Sequence, residues 1–215
     1  MTGAASGIRR RSCLVSVVTG VGLLSMQEQV RAGAQIEEPL VDSVRTALSA
    51  AIANHAPPVP EFADVESRQR YLRWLGALSE RLKTKELDGN ARKEFLQTVW
   101  YESRRAGLET SMVLGLIQVE SNFRKYAVSA AGARGYMQVM PFWARQIGDG
   151  DAGKLFHMQT NLRFGCVILR HYLDRERGDL VMALGRYNGT RGRLKYPNAV
   201  LSSRRSWEYG DPKVV

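Results

Sequence analysis

Cysteine is almost absent from this chain: there are two in 215 residues, Cys13 and Cys166. Cys13 lies in an N-terminus that reads as removable, so the remainder keeps one thiol. That excludes an intramolecular disulfide and a cysteine metal site. Cys166 falls among Leu162, Leu169 and Leu173, the setting of an inert core thiol and not of a nucleophile. Histidine is also scarce: His55, His157 and His171 are scattered without ligand spacing, so neither metal nor cofactor is expected. No alternating strand pattern of useful length and no repeat is found, which leaves a mainly α chain. The glycine-rich stretch Ala130–Gly135 lacks a phosphate-loop lysine and reads as a tight turn. Basic residues are not interleaved with aromatics, which disfavours a nucleic-acid binder.

What is present begins with an export signal. Arg9, Arg10 and Arg11 form a positive start, Cys13 to Met26 is apolar or small apart from a few hydroxyls, and Ala32-Gly33-Ala34 is a small-x-small cleavage pattern before Gln35. The 14-residue run is short against the roughly 20 of a spanning helix, so no stable membrane insertion is expected after cleavage. The formal charge is +10; the signal holds four arginines against Glu28, a net +3, leaving +7. A basic exported protein suits an anionic polymer, in a periplasmic or cell-wall-associated location.

Helical periodicity organises the rest. Residues 36–54 allow an amphipathic helix with Leu40, Val44, Leu48 and Ile52 on one face, and His55 to Pro60 breaks it as a proline-rich linker. Further helices are expected at about Val65–Lys83, Ala91–Arg105 and Met112–Glu120, then a proline-led one at Pro141–Ile147. Asn161 is placed as the cap of a long helix ending near Arg177, and Asp179 starts another reaching Tyr187. The expected domains are a signal peptide over 1–34, a helical extension over 35–90, a catalytic domain over 91–202 and a basic tail over 203–215.

Glu120 stands out on its helix. Val113, Leu116 and Ile117 sit at i, i+3 and i+4, and Glu120 falls at i+7 on the same apolar face. A carboxyl there has lost water, which disfavours its charged form and raises its pKa, as a general acid at neutral pH requires. The helix alone leaves another reading open: Glu120 ends the helix and turns to solvent or pairs with Arg124.

Three motifs in order surround it. They are Gln118-Val119-Glu120-Ser121-Asn122-Phe123, Ala131-Gly132-Ala133-Arg134-Gly135-Tyr136-Met137-Gln138-Val139-Met140-Pro141, and Tyr187-Asn188. Over about 95–201 the chain resembles the lytic transglycosylase family with the goose-type lysozyme-like fold. The resemblance implies a lysozyme-like helical domain with an N-terminal helical extension. It makes Glu120 the acid and then base, places Ser121, Met137, Gln138, Tyr187 and Asn188 around the sugar, and has Tyr187 hydrogen-bonding the catalytic carboxyl. Met137 and Tyr187 as plain core, and Gln138 as a helix cap, are the readings that each carries alone. Departures from the family pattern are Tyr136 for leucine, Arg186 for the alanine before Tyr-Asn, and Gly189-Thr190 for Ala-Gly.

Most glycosidases use two carboxylates about 5–9.5 Å apart, and substrate-assisted enzymes are the exception. None of the candidate second acids, Asp149, Asp151, Asp174, Glu176 and Asp179, shares the apolar setting of Glu120. The resemblance implies substrate assistance, with peptidoglycan glycan strands as the partner and 1,6-anhydromuramyl ends as the product. A lysozyme-like hydrolase and a non-catalytic peptidoglycan-binding scaffold are the alternatives. Whether the extension or the tail recruits a secretion-system or cell-wall partner is left open.

Overall fold

The computed structural model describes residues 1–2, 35–53, 60–86 and 88–210. The export signal with its cleavage site, nearly all of the linker and the last five residues of the tail lie outside the described residues.

Eight α-helices follow one another among these residues: α1 Asp42–Ala53, α2 Val65–Leu82, α3 Gly89–Arg105, α4 Thr110–Ser121, α5 Pro141–Ile147, α6 Met158–Arg175, α7 Leu180–Tyr187 and α8 Lys195–Arg205. A 3-10 turn, Ala152–Phe156, precedes α6. The described residues contain no strand, only isolated antiparallel bridges pairing Arg134 with Val128 and with Val139. The mainly α expectation holds. The helices start where the side chains supply a cap: Asp64, Asp88 and Asp179 accept from the backbone N–H of Ser67, Ala91 and Met182, which satisfies a first-turn donor in α2, α3 and α7. Pro141 opens α5, where its missing N–H costs nothing.

Helix α4 is the axis of the fold. Every residue from Thr110 to Ile117 is buried, so the helix is enclosed nearly all round and not along one stripe. Its closest neighbour is α8. At Gly115 a Cβ would stand 2.6 Å from the backbone nitrogen of Arg204, so only glycine allows this approach. Around α4 the core is filled by Leu96, Val99, Leu162, Ile168, Leu184 and Val200, all without exposure. Between α3 and α6 the wholly buried Glu102 receives Arg163 Nε at 2.9 Å on one oxygen and Arg105 Nε at 3.0 Å on the other.

Three expectations change. Helix α1 begins at Asp42, so Leu40 is buried from the segment before it. Asn161 is not a cap: His157 holds that position, and Asn161 lies one turn inside α6 with its side chain given to a loop. The boundary drawn at 202 cuts through α8, which the sequence reading did not identify. The chain stays packed as far as Trp207, whose Nε1 donates to Gln118 at 2.7 Å and whose ring meets Phe123 edge-on at 5.0 Å.

Candidate active site

Glu120 is the penultimate residue of α4 and is 5% exposed. Asn122, in the left-handed region at φ 49°, ends the helix and turns the chain away. One hydrogen bond to the carboxyl comes from Tyr196 in the first turn of α8, whose hydroxyl donates to Glu120 Oε1 at 2.5 Å. This corrects the expectation for Tyr187. The Tyr187 hydroxyl donates instead to the carbonyl of Met137 at 2.8 Å. The reason is geometric: α7 delivers Tyr187 to the loop of the second motif, whereas the close α4–α8 packing sets Tyr196 beside the acid. Burial pushes both phenols well above their usual range, and the charge of Glu120 adds to the shift in each. Both stay protonated and able to donate.

The remaining residues of the expected set hold the second motif in shape. Ser121 Oγ lies 2.7 Å from the carbonyl of Tyr136 and 3.2 Å from that of Ile117, joining the end of α4 to the loop. Gln138 has φ 48° and is 1% exposed; its Nε2 donates to the carbonyls of Gly135 and Ala127. Met137 is unexposed, with its side chain packed on Gly165. Asn188 caps the end of α7 and is 2% exposed. The sequence reading missed what Asn161 does here. It accepts from Met137 N–H at 2.8 Å and donates to the carbonyls of Arg134 and Leu155. At Gly135, φ is +74° and a Cβ would stand 2.4 Å from the Asn161 amide, so glycine is required twice over.

One departure, Tyr136, turns outward from this loop against Phe95, at 4.9 Å between centroids. It lines a cleft of about 500 Å³ with Glu94, Lys125 and His157. Burial first, and then Glu86, push its hydroxyl up to about 12. A second cleft of about 500 Å³ lies between α1, α5 and α6, bordered by Ile52, Asp149 and Phe164. Glu120 lines neither.

The Transglycosylase SLT domain model matches residues 98–209, 112 of the 215, and all three motifs fall inside that stretch. The chain belongs to the SLT transglycosylase domain family. The chain is 38% identical over 85 residues to a membrane-bound lytic murein transglycosylase C of Actinobacillus pleuropneumoniae serotype 5b, covering 36% of this chain and 23% of that one. It is 43% identical over 94 residues to a protein of the same name from Haemophilus ducreyi, covering 38% and 26%. A transglycosylase of Enterobacteria phage PRD1 is 33% identical over 96 residues, covering 45% and 35%. The chain thus spans 23% to 35% of the length of these relatives. Among solved structures, an inactive mutant of the lytic transglycosylase Slt from Pseudomonas aeruginosa aligns with a TM-score of 0.42 and 21% identity, covering 65% of this chain and 27% of that one.

Proposed function

We propose that this protein is a lytic transglycosylase of peptidoglycan, cleaving the MurNAc–GlcNAc β-1,4 bond with Glu120 as its acid/base. One observation carries the reading: within the SLT region, a carboxyl almost shut off from water is held by a protonated tyrosine hydroxyl, Tyr196, on a neighbouring helix. Burial penalises the ionised form, and the tyrosine fixes the rotamer without adding a charge. The acids singled out as alternatives serve elsewhere: Asp149 pairs with Lys154, Asp174 with Arg170 and Glu176 with Arg186 and Arg191, while Asp151 and Asp179 cap helical turns.

In this mechanism the Glu120 carboxylic acid gives its proton to the glycosidic oxygen as the C1–O bond breaks. The acetamido oxygen of the muramyl residue attacks C1 and forms a cyclic oxazolinium ion. Glu120, now a carboxylate, takes the proton from the 6-hydroxyl. O6 then displaces the acetamido oxygen at C1 and closes the 1,6-anhydro ring, and Glu120 is protonated again. Asn188 contacts the sugar, and Ser121, Met137, Gln138 and Tyr187 keep the loop of the second motif in its binding shape.

The substrate puts the enzyme outside the cytoplasmic membrane, after removal of residues 1–34. No helix among the described residues is long and apolar enough to cross a membrane. Mass spectrometry of peptidoglycan digested by the purified protein tests the reaction: 1,6-anhydromuramyl ends support it, and reducing muramyl ends mean hydrolysis. Intact walls would leave a scaffold.

A further inference from the structure

Tyr136 stands where the resemblance puts leucine, so its hydroxyl is a group that packing alone does not require. The side chain is 8% exposed and its ring packs on Phe95. The hydroxyl nevertheless makes no hydrogen bond to any described residue. A polar group taken out of water without a partner costs stability that leucine would keep. Tyr136 is not sealed in the core, however: it forms part of the wall of the cleft of about 500 Å³ already described.

The rest of that wall divides by charge. The charged groups that act on the hydroxyl are Glu86, half-buried between α2 and α3, and Glu94, exposed on α3. Neither forms an ion pair among the described residues. Glu86 Oε1 accepts the backbone N–H of Asp88 at 3.1 Å. Acids and phenol together make a seat for a cation, the carboxylates supplying charge and the hydroxyl a lone pair. The opposite sign comes from Lys125 and from the start of α6, whose first turn lines the cleft after His157 and has no side-chain cap. The orphan N–H groups of such a turn, and the helix dipole, favour a carboxylate. A ligand carrying an ammonium and a carboxylate close together satisfies both sides.

We propose that the Tyr136 cleft is a second binding site, which takes the free amino-acid end of a diamino acid in the peptide stem carried by the glycan. The ammonium sits against Glu86, Glu94 and the Tyr136 hydroxyl, and the carboxylate on the same carbon faces Lys125 and the N-terminus of α6. Cross-linking converts that amine into an amide and removes its charge, so the cleft selects stems that are not cross-linked. The backbone connects the cleft to the acid: the Tyr136 carbonyl accepts from Ser121 Oγ at 2.7 Å, beside Glu120. The inference rests on the proposed function, because it takes the stem of that substrate as the ligand.

The test is a ligand-observed NMR titration of the purified protein with N-acetyl-L-Ala–γ-D-Glu–meso-diaminopimelate, and with the same peptide acetylated on its diaminopimelate amine. Saturable binding of the free-amine peptide is expected, weakened roughly tenfold or more by that acetylation, by Tyr136→Phe and by Glu94→Gln. Tyr136→Phe keeps the ring on Phe95, and Glu94 lies at an exposed position, so both variants should unfold at the wild-type midpoint. Absence of saturable binding overturns the cleft, as does equal binding of the acetylated peptide or an unchanged affinity in either variant. The peptide carries no sugar, so this outcome is independent of cleavage. Peptide binding by a protein that leaves walls intact sinks the proposed reaction and keeps the cleft. Anhydro ends without peptide binding overturn the cleft and keep the reaction.

Discussion

Among the described residues two carboxylates lie in the interior, and different groups bond to them. Glu102, in the α3–α6 interface, has a guanidinium on each oxygen, from Arg105 and Arg163. Glu120, at the end of α4, accepts a hydrogen bond from a phenol. Removing water from a charge is costly, and two nearby cations offset that cost by pairing with both oxygens. Such a group ties α3 to α6, with both of its oxygens occupied by guanidinium groups. A tyrosine hydroxyl orients a carboxyl in either protonation state, which suits the acid/base role proposed for Glu120.

The contrast can be broken by substitution. The largest effect is expected from Glu120→Gln, which keeps size and polarity but cannot exchange a proton. Peptidoglycan cleavage should fall by on the order of 10²–10⁴ while the thermal unfolding midpoint holds or rises. Near wild-type cleavage by the folded variant would place the chemistry elsewhere. Glu102→Ala should do the reverse. It leaves two arginines facing a carboxylate-free interior and should lower stability by about 3–5 kcal/mol in denaturant titration, with turnover per folded molecule unchanged. A stable, slow Glu102→Ala enzyme would contradict the division of roles.

Tyrosine substitutions sharpen the comparison. Tyr196→Phe removes the bond to Glu120 and should cost about 1–3 kcal/mol in the transition state, roughly ten- to a hundredfold in kcat. Tyr187→Phe, which loses a bond to the Met137 carbonyl, should shift the unfolding midpoint more than kcat. Equal kcat losses in the two would mean that both hydroxyls serve the acid. The smallest effect concerns a third carboxylate, Glu176, at the surface end of α6. Arg191 first, and Arg186 with it, hold its carboxyl down at about 2 against the ordinary 4.5. A depressed carboxylate stabilises the fold above its unfolded value and loses that contribution as pH falls from about 4.5 toward 2. Glu176→Gln should therefore melt earlier than wild type at pH 7, and the two midpoints should converge near pH 2.

How much of this was legible in the chain can be argued residue by residue. The proline at the start of α5 and the aspartate before α7 announced their helices because caps and N1 prolines act within a few residues of themselves. Glu120 could be found because one acid at i+7 of an apolar run breaks the local pattern. Helix α8 was missed: its buried set is Tyr196, Pro197 and Val200, and the rest is polar or basic. Asn161 looked like a cap because its residue type favours one, but the loop of the second motif had a stronger demand for three hydrogen bonds. Gln35, next to the expected cleavage site, carried no local signal at all.

The sequence by itself therefore determined the helical class, the apolar setting of Glu120, and the family to which residues 98–209 belong, since each of these is written in short-range patterns and residue types. The tertiary structure alone decided which tyrosine bonds Glu120, which acids Arg186 pairs with, and that Gln35 lies beside Trp143. Tyr196 reaches Glu120 across 76 residues of chain, and Gln35 reaches Trp143 across 108. Such partners are chosen by tertiary packing, and the first depends on the close α4–α8 approach that the missing Cβ at Gly115 allows.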